Sequence, residues 1–390
     1  MRIKRLDILR CAAVLLVIAA HANIFPLTSK VGWVGVDLFF VLSGFLISGL
    51  LYSEYKKRGQ ISFRRFFIRR GMKIYPAFYV LLLATFVGQR VFWHAPPQPF
   101  SSFLREILFV QNYHFAIWTH TWSLAVEEHF YIGLGLLLLL LARSSLDRMD
   151  PFRTIPQIFV FVASACLTLR ILTILLIPPA NFITPYVMNL THTRIDGLFF
   201  GVLLGYFYHF RPETIRNICR PAVNQLAIAV LSAMLLSCAY FFSRDDHFLL
   251  TFGLTFLYLG FGGVLILALE VRNVFQGRVA SIAERVGTGC AYVGTHSYSI
   301  YLWHVPFLVA IPVFLRKVAH IQLQGLVLFG IYVLGSCALG IAMANIVEFP
   351  VLQLRDRLFP RLHYSEVDSV SVKAPEARLP AVRVPETAED

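Results

Sequence analysis

The sequence predicts an all-α, polytopic membrane bundle of about ten transmembrane helices, and three observations carry that prediction. Of the 390 residues 57% are hydrophobic and only 15% charged, with a mean hydropathy of +0.66, a balance foreign to soluble domains. Ten apolar stretches of near-spanning length recur, at about residues 7–25, 33–53, 74–92, 122–142, 156–177, 195–209, 224–242, 249–269, 296–315 and 323–347, each near the ~20 residues that cross a bilayer as a helix. The basic residues alternate in side: about 20 Lys/Arg lie on residues 2–5, 54–73, 143–155, 210–223 and 270–288, against about 6 on the alternate connections.

That alternation explains the formal net charge of +13 as membrane topology, so the expected surroundings are membrane lipids and not nucleic acid. It places both termini in the cytoplasm of a multi-pass protein of the cell's inner (plasma) membrane. Residues 1–352 form the transmembrane domain. Residues 353–390 form a cytoplasmic tail, which beyond about residue 364 is a Pro, Ala, Val and Glu mixture without helical period and is expected to be largely disordered. The six cysteines are dispersed with no CxxC spacing, which predicts neither a disulfide framework nor a zinc site, and no metal is expected.

The first span, RLDILRCAAVLLVIAAH, begins with charge and ends on a histidine. Helical geometry places Arg10 and His21 about 20° apart in direction and about 16 Å apart along the axis, with Asp7 on the same side and able to pair with Arg10. Ala20-His21-Ala22 also resembles a signal-peptidase site, but Asp7 and Arg10 interrupt the basic start, and an uncleaved helix is the expectation. Ionisable groups inside a membrane usually line a cavity or pathway. Helix two carries Asp37 about a turn inside its outer end, where a carboxylate needs a cationic or hydrogen-bonding partner, and small residues Ser43, Gly44, Ser48 and Gly49 that favour close packing.

The loop EYKKRGQISFRRFFIRRGMKIYP is the most basic stretch. Lys56, Lys57 and Arg58 read as headgroup contacts. Arg69, Arg70 and Lys73 precede Ile74-Tyr75-Pro76, where Pro76 suits a helix's first turn, and cations at such an entrance make a phosphate site. The fourth span opens HTWSLAVEEHFY, with Glu127 expected level with His21, where a carboxylate could fix the imidazole's tautomer for general-base work. Glu128 and His129 read as bundle polarity. RIDGLFFG sets Arg194 and Asp196 at an outer helix end, SYSIYLWHVPF sets Tyr298, Tyr301 and His304 within a span, and Glu348 falls at the inner end of the last helix. Two polar layers are therefore expected, an inner one of Asp7, Arg10, Arg69, Arg70, Lys73 and Glu348 and an outer one of His21, Asp37, Glu127, Arg194 and Asp196.

These motifs, in their order and spacing, resemble the acyltransferase 3 family of integral-membrane acyltransferases over nearly the whole chain to about residue 352. The resemblance rests on Arg10 and His21 with ten residues between them, GVDLFFVLSGFLI at 35–47, WSLAVEEHFY at 122–131, RIDG at 194–197, SYSIYLWH at 297–304 and Glu348-Phe349-Pro350. It implies a ten-helix bundle that takes an acyl group, commonly acetyl, from cytoplasmic acyl-coenzyme A, as co-substrate, to a hydroxyl of a carbohydrate or glycolipid acceptor. The family's Arg/His pair falls on Arg10 and His21, and its basic pair on Arg70 and Lys73. Lys73 departs from the family's usual Arg, keeping the charge and losing the bidentate fork.

The chemistry required is donor binding by Arg69, Arg70 and Lys73, deprotonation of the acceptor hydroxyl by His21 (or transient acyl carriage on it), and oxyanion stabilisation. Glu127 and then Asp37 are the expected catalytic orienters, and Arg10, in the inner layer, is also expected among the catalytic residues. Arg194, Asp196, Tyr298 and His304 are the expected substrate contacts. The competing class is a polytopic transporter or proton-coupled carrier, whose inverted repeats and paired broken helices are not evident.

Overall fold

The structure, a computed structural model, describes residues 3–91, 98–114, 117–177, 183–271 and 277–360. Its main elements are helices α1 (Lys4–Ala22), α2 (Gly35–Arg58), α3 (Phe63–Val91), α4 (Phe100–Ile107), α5 (Trp122–Ser144), α6 (Ile155–Leu176), α7 (Thr191–Phe210), α8 (Ala222–Leu236), α9 (Leu254–Glu270), α10 (Gly277–Thr295), α11 (Ser297–Lys317), α12 (Gly325–Met343) and α13 (Phe349–Leu358). No strand occurs among the described residues. The chain is a polytopic helical bundle, with a helix at each of the ten expected positions. Among the described residues eight helical stretches are long and apolar enough to cross a membrane. The other two expected spans, α1 and α7, fall outside that set, with Lys4, Arg5, Asp7 and Arg10 in α1 and Arg194, Asp196, His192 and His209 in α7, and Ala13, Val14, Val17 and Ile18 of α1 and Leu198 and Val202 of α7 are buried.

Small residues set the closest crossings. A Cβ on Gly44 would stand 1.9 Å from the Leu198 carbonyl oxygen and one on Gly201 2.2 Å from that of Val41, so α2 and α7 meet backbone to backbone. Gly32 and Gly35 do the same against α1: their Cβ positions fall 2.4 Å from the carbonyl oxygens of Leu16 and Ala13. The start of α2 therefore lies well below the His21 end of α1. Further along, Ser43 Oγ lies 2.5 Å from Tyr131 Oη, and the Trp122 ring stands edge-on to Phe40, which puts α5 in register with the middle of α2.

Three expectations change here. The helix expected to start at Ile74 starts at Phe63. The amphipathic run 63–73 continues straight through Pro76, anchored by buried Phe66 and by Phe63 stacked on Phe67 and set against Gly135. Arg69, Arg70 and Lys73 thus lie inside a continuous helix, and the phosphate argument from a helix entrance lapses. Second, α5 does not begin at the bundle's surface. The segment before it folds inward as a cap, with Glu106, Gln111, Asn112, His120 and Thr121 all buried. Third, residues 277–295, expected as part of a connection, form α10, which packs along α1 and brings Gly294 against the Asp7 backbone. Helix α13 crosses the expected boundary at residue 352, and the tail's expected disorder concerns residues beyond 360, outside the described residues.

Candidate functional site

At the Arg10 end, Asp7 and Arg10 pair at 3.6 Å, as their spacing requires. Beside them lies a hydrogen-bonded cluster built by α2, α3 and α5. Arg70 Nη2 donates to Tyr131 Oη at 2.5 Å with its guanidinium over the same ring, and Tyr131 Oη donates to Glu127 Oε2 at 2.5 Å. Arg70 and Glu127 are 3.8 Å apart. The Tyr75 hydroxyl donates to Glu128 Oε2 at 3.0 Å, and Ser299 Oγ donates to buried Glu348 at 2.7 Å. Lys73 lies within electrostatic range of Arg10, Glu348, Arg70 and Arg355 and makes no hydrogen bond or ion pair among the described residues. Arg70 Nε and Glu128 Oε1 are buried without a partner.

The three cations of 69–73 therefore diverge. Arg69 points to α13, bonded to Asp356 at 2.9 Å and to the Phe359 carbonyl. Arg70 enters the bundle, and Lys73 sits between. Tyr298, expected as a substrate contact, donates to the Ile74 carbonyl at 2.8 Å and ties α11 to α3.

At the other end of α1, the exposed ring of His21 brings Nδ1 to 2.9 Å from the Val17 carbonyl oxygen and 3.5 Å from His304 Nε2. A carbonyl only accepts, so this contact assigns the proton to Nδ1 and the lone pair to Nε2. His21 Nε2 makes no hydrogen bond among the described residues. His304 and His120 are buried behind it, their rings 5.0 Å apart. Tyr301 Oη shares a 2.6 Å hydrogen bond with Ser123 Oγ and donates to the His120 carbonyl at 2.7 Å, which locks the cap onto α11. Arg244, from the connection preceding α9, stacks over Trp33 and lies within electrostatic range of His21.

The expected pairing of Glu127 with His21 is not made. Glu127 belongs with Arg70, Tyr131 and Arg10. Asp37 is likewise committed elsewhere, to Arg194 at 2.7 Å. The guanidinium of Arg194 lies over Phe40 and Trp122. Asp196 accepts two 2.6 Å bonds from Arg170 Nη2. These four charges are all buried and form two ion pairs that join α2 to α7 and α6 to α7. Sequence reasoning missed Arg170, although a lone arginine deep in an apolar span demands a partner. It also missed His120 and Glu106, which no periodicity singles out, and it quoted Tyr131 without giving it a role. Among the described residues no group of three His, Cys, Asp or Glu side chains is arranged to hold a metal.

A membrane-embedded helical bundle with a histidine at one end of a helix and a buried cationic cluster at the other is the architecture of an enzyme or carrier working across a bilayer. The comparison with known proteins narrows the class: the acyltransferase domain family matches residues 3–345, and the chain belongs to that family. It is 28% identical over 330 residues to the peptidoglycan O-acetyltransferase OatA of Listeria monocytogenes, covering 78% of this chain and 49% of that protein. It is 29% identical over 326 residues to the O-acetyltransferase OatA of Staphylococcus aureus, covering 78% and 50%. The chain thus spans about half the length of the curated relatives it matches. No solved structure matches it.

Proposed function

We propose that the protein is an integral-membrane O-acetyltransferase that moves an acetyl group from cytoplasmic acetyl-coenzyme A to a hydroxyl of a carbohydrate or glycolipid on the outer side. One observation carries the reading: His21 Nδ1 is held by the Val17 carbonyl, leaving Nε2 as an unpartnered base on an exposed ring, while α1 runs from it to the cationic cluster at Arg10. The names of the relatives make a cell-wall glycan hydroxyl the favoured acceptor class. In this reading the bundle lies N-in and C-in, so the Arg10 end faces the cytoplasm.

The charged end of the donor meets Lys73, whose ammonium is uncommitted, with Arg70 and Arg10 beside it. The thioester reaches along α1 toward His21, which takes the acceptor's hydroxyl proton on Nε2 as the oxygen attacks. The C–O bond forms, the C–S bond breaks, and the proton is returned to the departing thiolate. A transporter reading has no observation that favours it.

The test is His21→Ala in purified full-length protein reconstituted with acetyl-coenzyme A and glycan acceptors. Turnover should fall by ~10²-fold or more while the protein remains folded and inserted. Retention of more than about a tenth of wild-type turnover removes His21 as the base.

A further inference from the structure

His21 meets two further imidazoles, and each has its protonation pattern imposed by a backbone carbonyl of α11. His304 Nδ1 lies 2.5 Å from the Tyr301 carbonyl oxygen. That nitrogen must therefore carry the proton, and His304 Nε2 is left as a lone pair facing His21 Nδ1 at 3.5 Å. His120 Nε2 lies 3.2 Å from the Leu302 carbonyl oxygen, which assigns its proton to Nε2. The Leu302 carbonyl is available because its partner four residues on is Pro306, which has no N–H and whose ring displaces that carbonyl. The His120 ring then stands edge-on to His304, centroids 5.0 Å apart, as His304 does to His21 at the same distance. Exposure of His304 is 0% and of His120 2%, so neither ring is placed to meet an acceptor directly.

We propose that His304, backed by His120, is a positioning residue that accepts from the His21 Nδ1–H alongside the Val17 carbonyl and stabilises the ring as it becomes imidazolium, so that Nε2 is the atom that removes the acceptor's proton. The proposal rests on the reading of His21 as the base. It replaces the substrate contact expected of His304 with a role exerted through His21. The groups that face His21 are His304 from α11, His120 from the cap and Arg244 from the connection before α9. No carboxylate bonds to His21 among the described residues, so the accepting group for its Nδ1–H is a neutral nitrogen together with the Val17 carbonyl. The 3.5 Å separation is at the outer limit of a hydrogen bond, and such contacts shorten once the donor carries charge.

The test uses the full-length protein in nanodiscs with nitrogen-15 histidine, the His21 signals being assigned by difference against His21→Gln. In the wild type, the ring-nitrogen shifts should report His21 as predominantly the Nδ1–H tautomer. His304→Phe, which keeps a ring but removes the acceptor, should lower the His21 titration midpoint by about one pH unit, with the Val17 carbonyl still holding the Nδ1–H tautomer. It should lower kcat by roughly 10- to 100-fold with the KM for acceptor nearly unchanged. His304→Gln, whose carbonyl oxygen can accept in place of the ring nitrogen, should restore most of both. A wild-type His21 in the Nε2–H form overturns the proposal without any variant. So does a folded His304→Phe protein whose His21 midpoint matches the wild type. These readings need no turnover, so loss of the acetyltransferase assignment and loss of this proposal are separable.

Discussion

Removing the guanidinium of Arg170 should destabilise the bundle far more than removing its partner's charge. Arg170 and Asp196 are each about 1% exposed, and Arg170 Nη2 meets both Asp196 oxygens at 2.6 Å. Breaking a buried pair by deleting one member costs about 3–5 kcal/mol, because the other charge is left uncompensated. The two deletions are not equivalent. Without its carboxylate, Arg170 still donates from Nε to the Thr193 carbonyl at 2.8 Å and from Nη1 toward the Thr251 carbonyl and the Thr255 hydroxyl. Without its guanidinium, Asp196 keeps only the Gly197 amide at 3.1 Å. Arg170→Met should therefore fall at the upper end of that range, Asp196→Asn at or below the lower end, and Arg170→Met with Asp196→Leu should recover at least half the loss. The assay is equilibrium unfolding of the purified proteins in mixed detergent micelles, closed as a double-mutant cycle. If Arg170→Met unfolds within about 0.5 kcal/mol of the wild type while acceptor KM rises, the pair is a substrate contact and the structural assignment is wrong.

Three further outcomes follow from the geometry. Gly201→Ala should destabilise the bundle sharply, because its methyl would stand 2.2 Å from the Val41 carbonyl oxygen, whereas Gly133→Ala, which meets nothing, should be neutral or mildly stabilising in the same unfolding assay. Glu106 should make the cap pH-sensitive. Burial pushes its carboxyl up to about 7 despite donors from Ile117, Trp118 and Thr121. A pKa raised on folding favours the native state fully at low pH, and the benefit is lost as pH rises from about 4.5 through 7, a span worth about 3 kcal/mol. Hydrogen exchange across 98–121, corrected for intrinsic rates, should quicken over that interval in the wild type and not in Glu106→Gln; equal slopes would refute it. Finally, Lys73→Ala should raise the Michaelis constant for the acyl donor by about 10-fold or more, as expected for a charge-assisted contact, while Arg69→Ala should chiefly loosen α13, read as faster proteolysis after residue 348; a donor constant unmoved by Lys73→Ala would remove it from the donor site.

What the sequence made legible was local. Hydropathy located ten of the helices because apolar stretches of near-spanning length are set by composition over about 20 residues, and it missed α10, whose residues are more polar. The Asp7–Arg10 pair followed from helical spacing. Asp37 announced its need for a cation, but the cation proved to be Arg194, 157 residues away, and no pattern along one helix specifies a partner on another. Depth was the larger error. Glu127 was set level with His21 by counting from a helix start assumed to lie at the membrane surface. The cap's polar residues, which look like an ordinary loop in sequence, are instead buried through Glu106 and its donors. Pro76 misled in the same way: it suits a first helical turn, yet the aromatic anchoring of Phe63 and Phe66 carries the helix through it.

The commitments of the charged groups decide which of them can act. Asp37, Arg194, Asp196 and Arg170 bond to one another, Arg69 is held by α13, and Arg70 and Glu127 share Tyr131. A group already paired within the protein gains less from a ligand, since binding would exchange one set of hydrogen bonds for another. Single atoms of these groups, Arg70 Nε, Asp37 Oδ2 and Arg194 Nη1, lack a partner among the described residues, but two groups have none at the atom that would act. Among the described residues Lys73 is half-buried and without a hydrogen-bonded partner, and His21 Nε2 is open on an exposed ring. They lie toward opposite ends of α1, the helix that Gly32, Gly35 and Gly294 bring into backbone contact with its neighbours. In the proposed reading, a closely packed α1 sets the span between the donor's charged end and the atom that takes the proton, and main-chain contacts hold it in place.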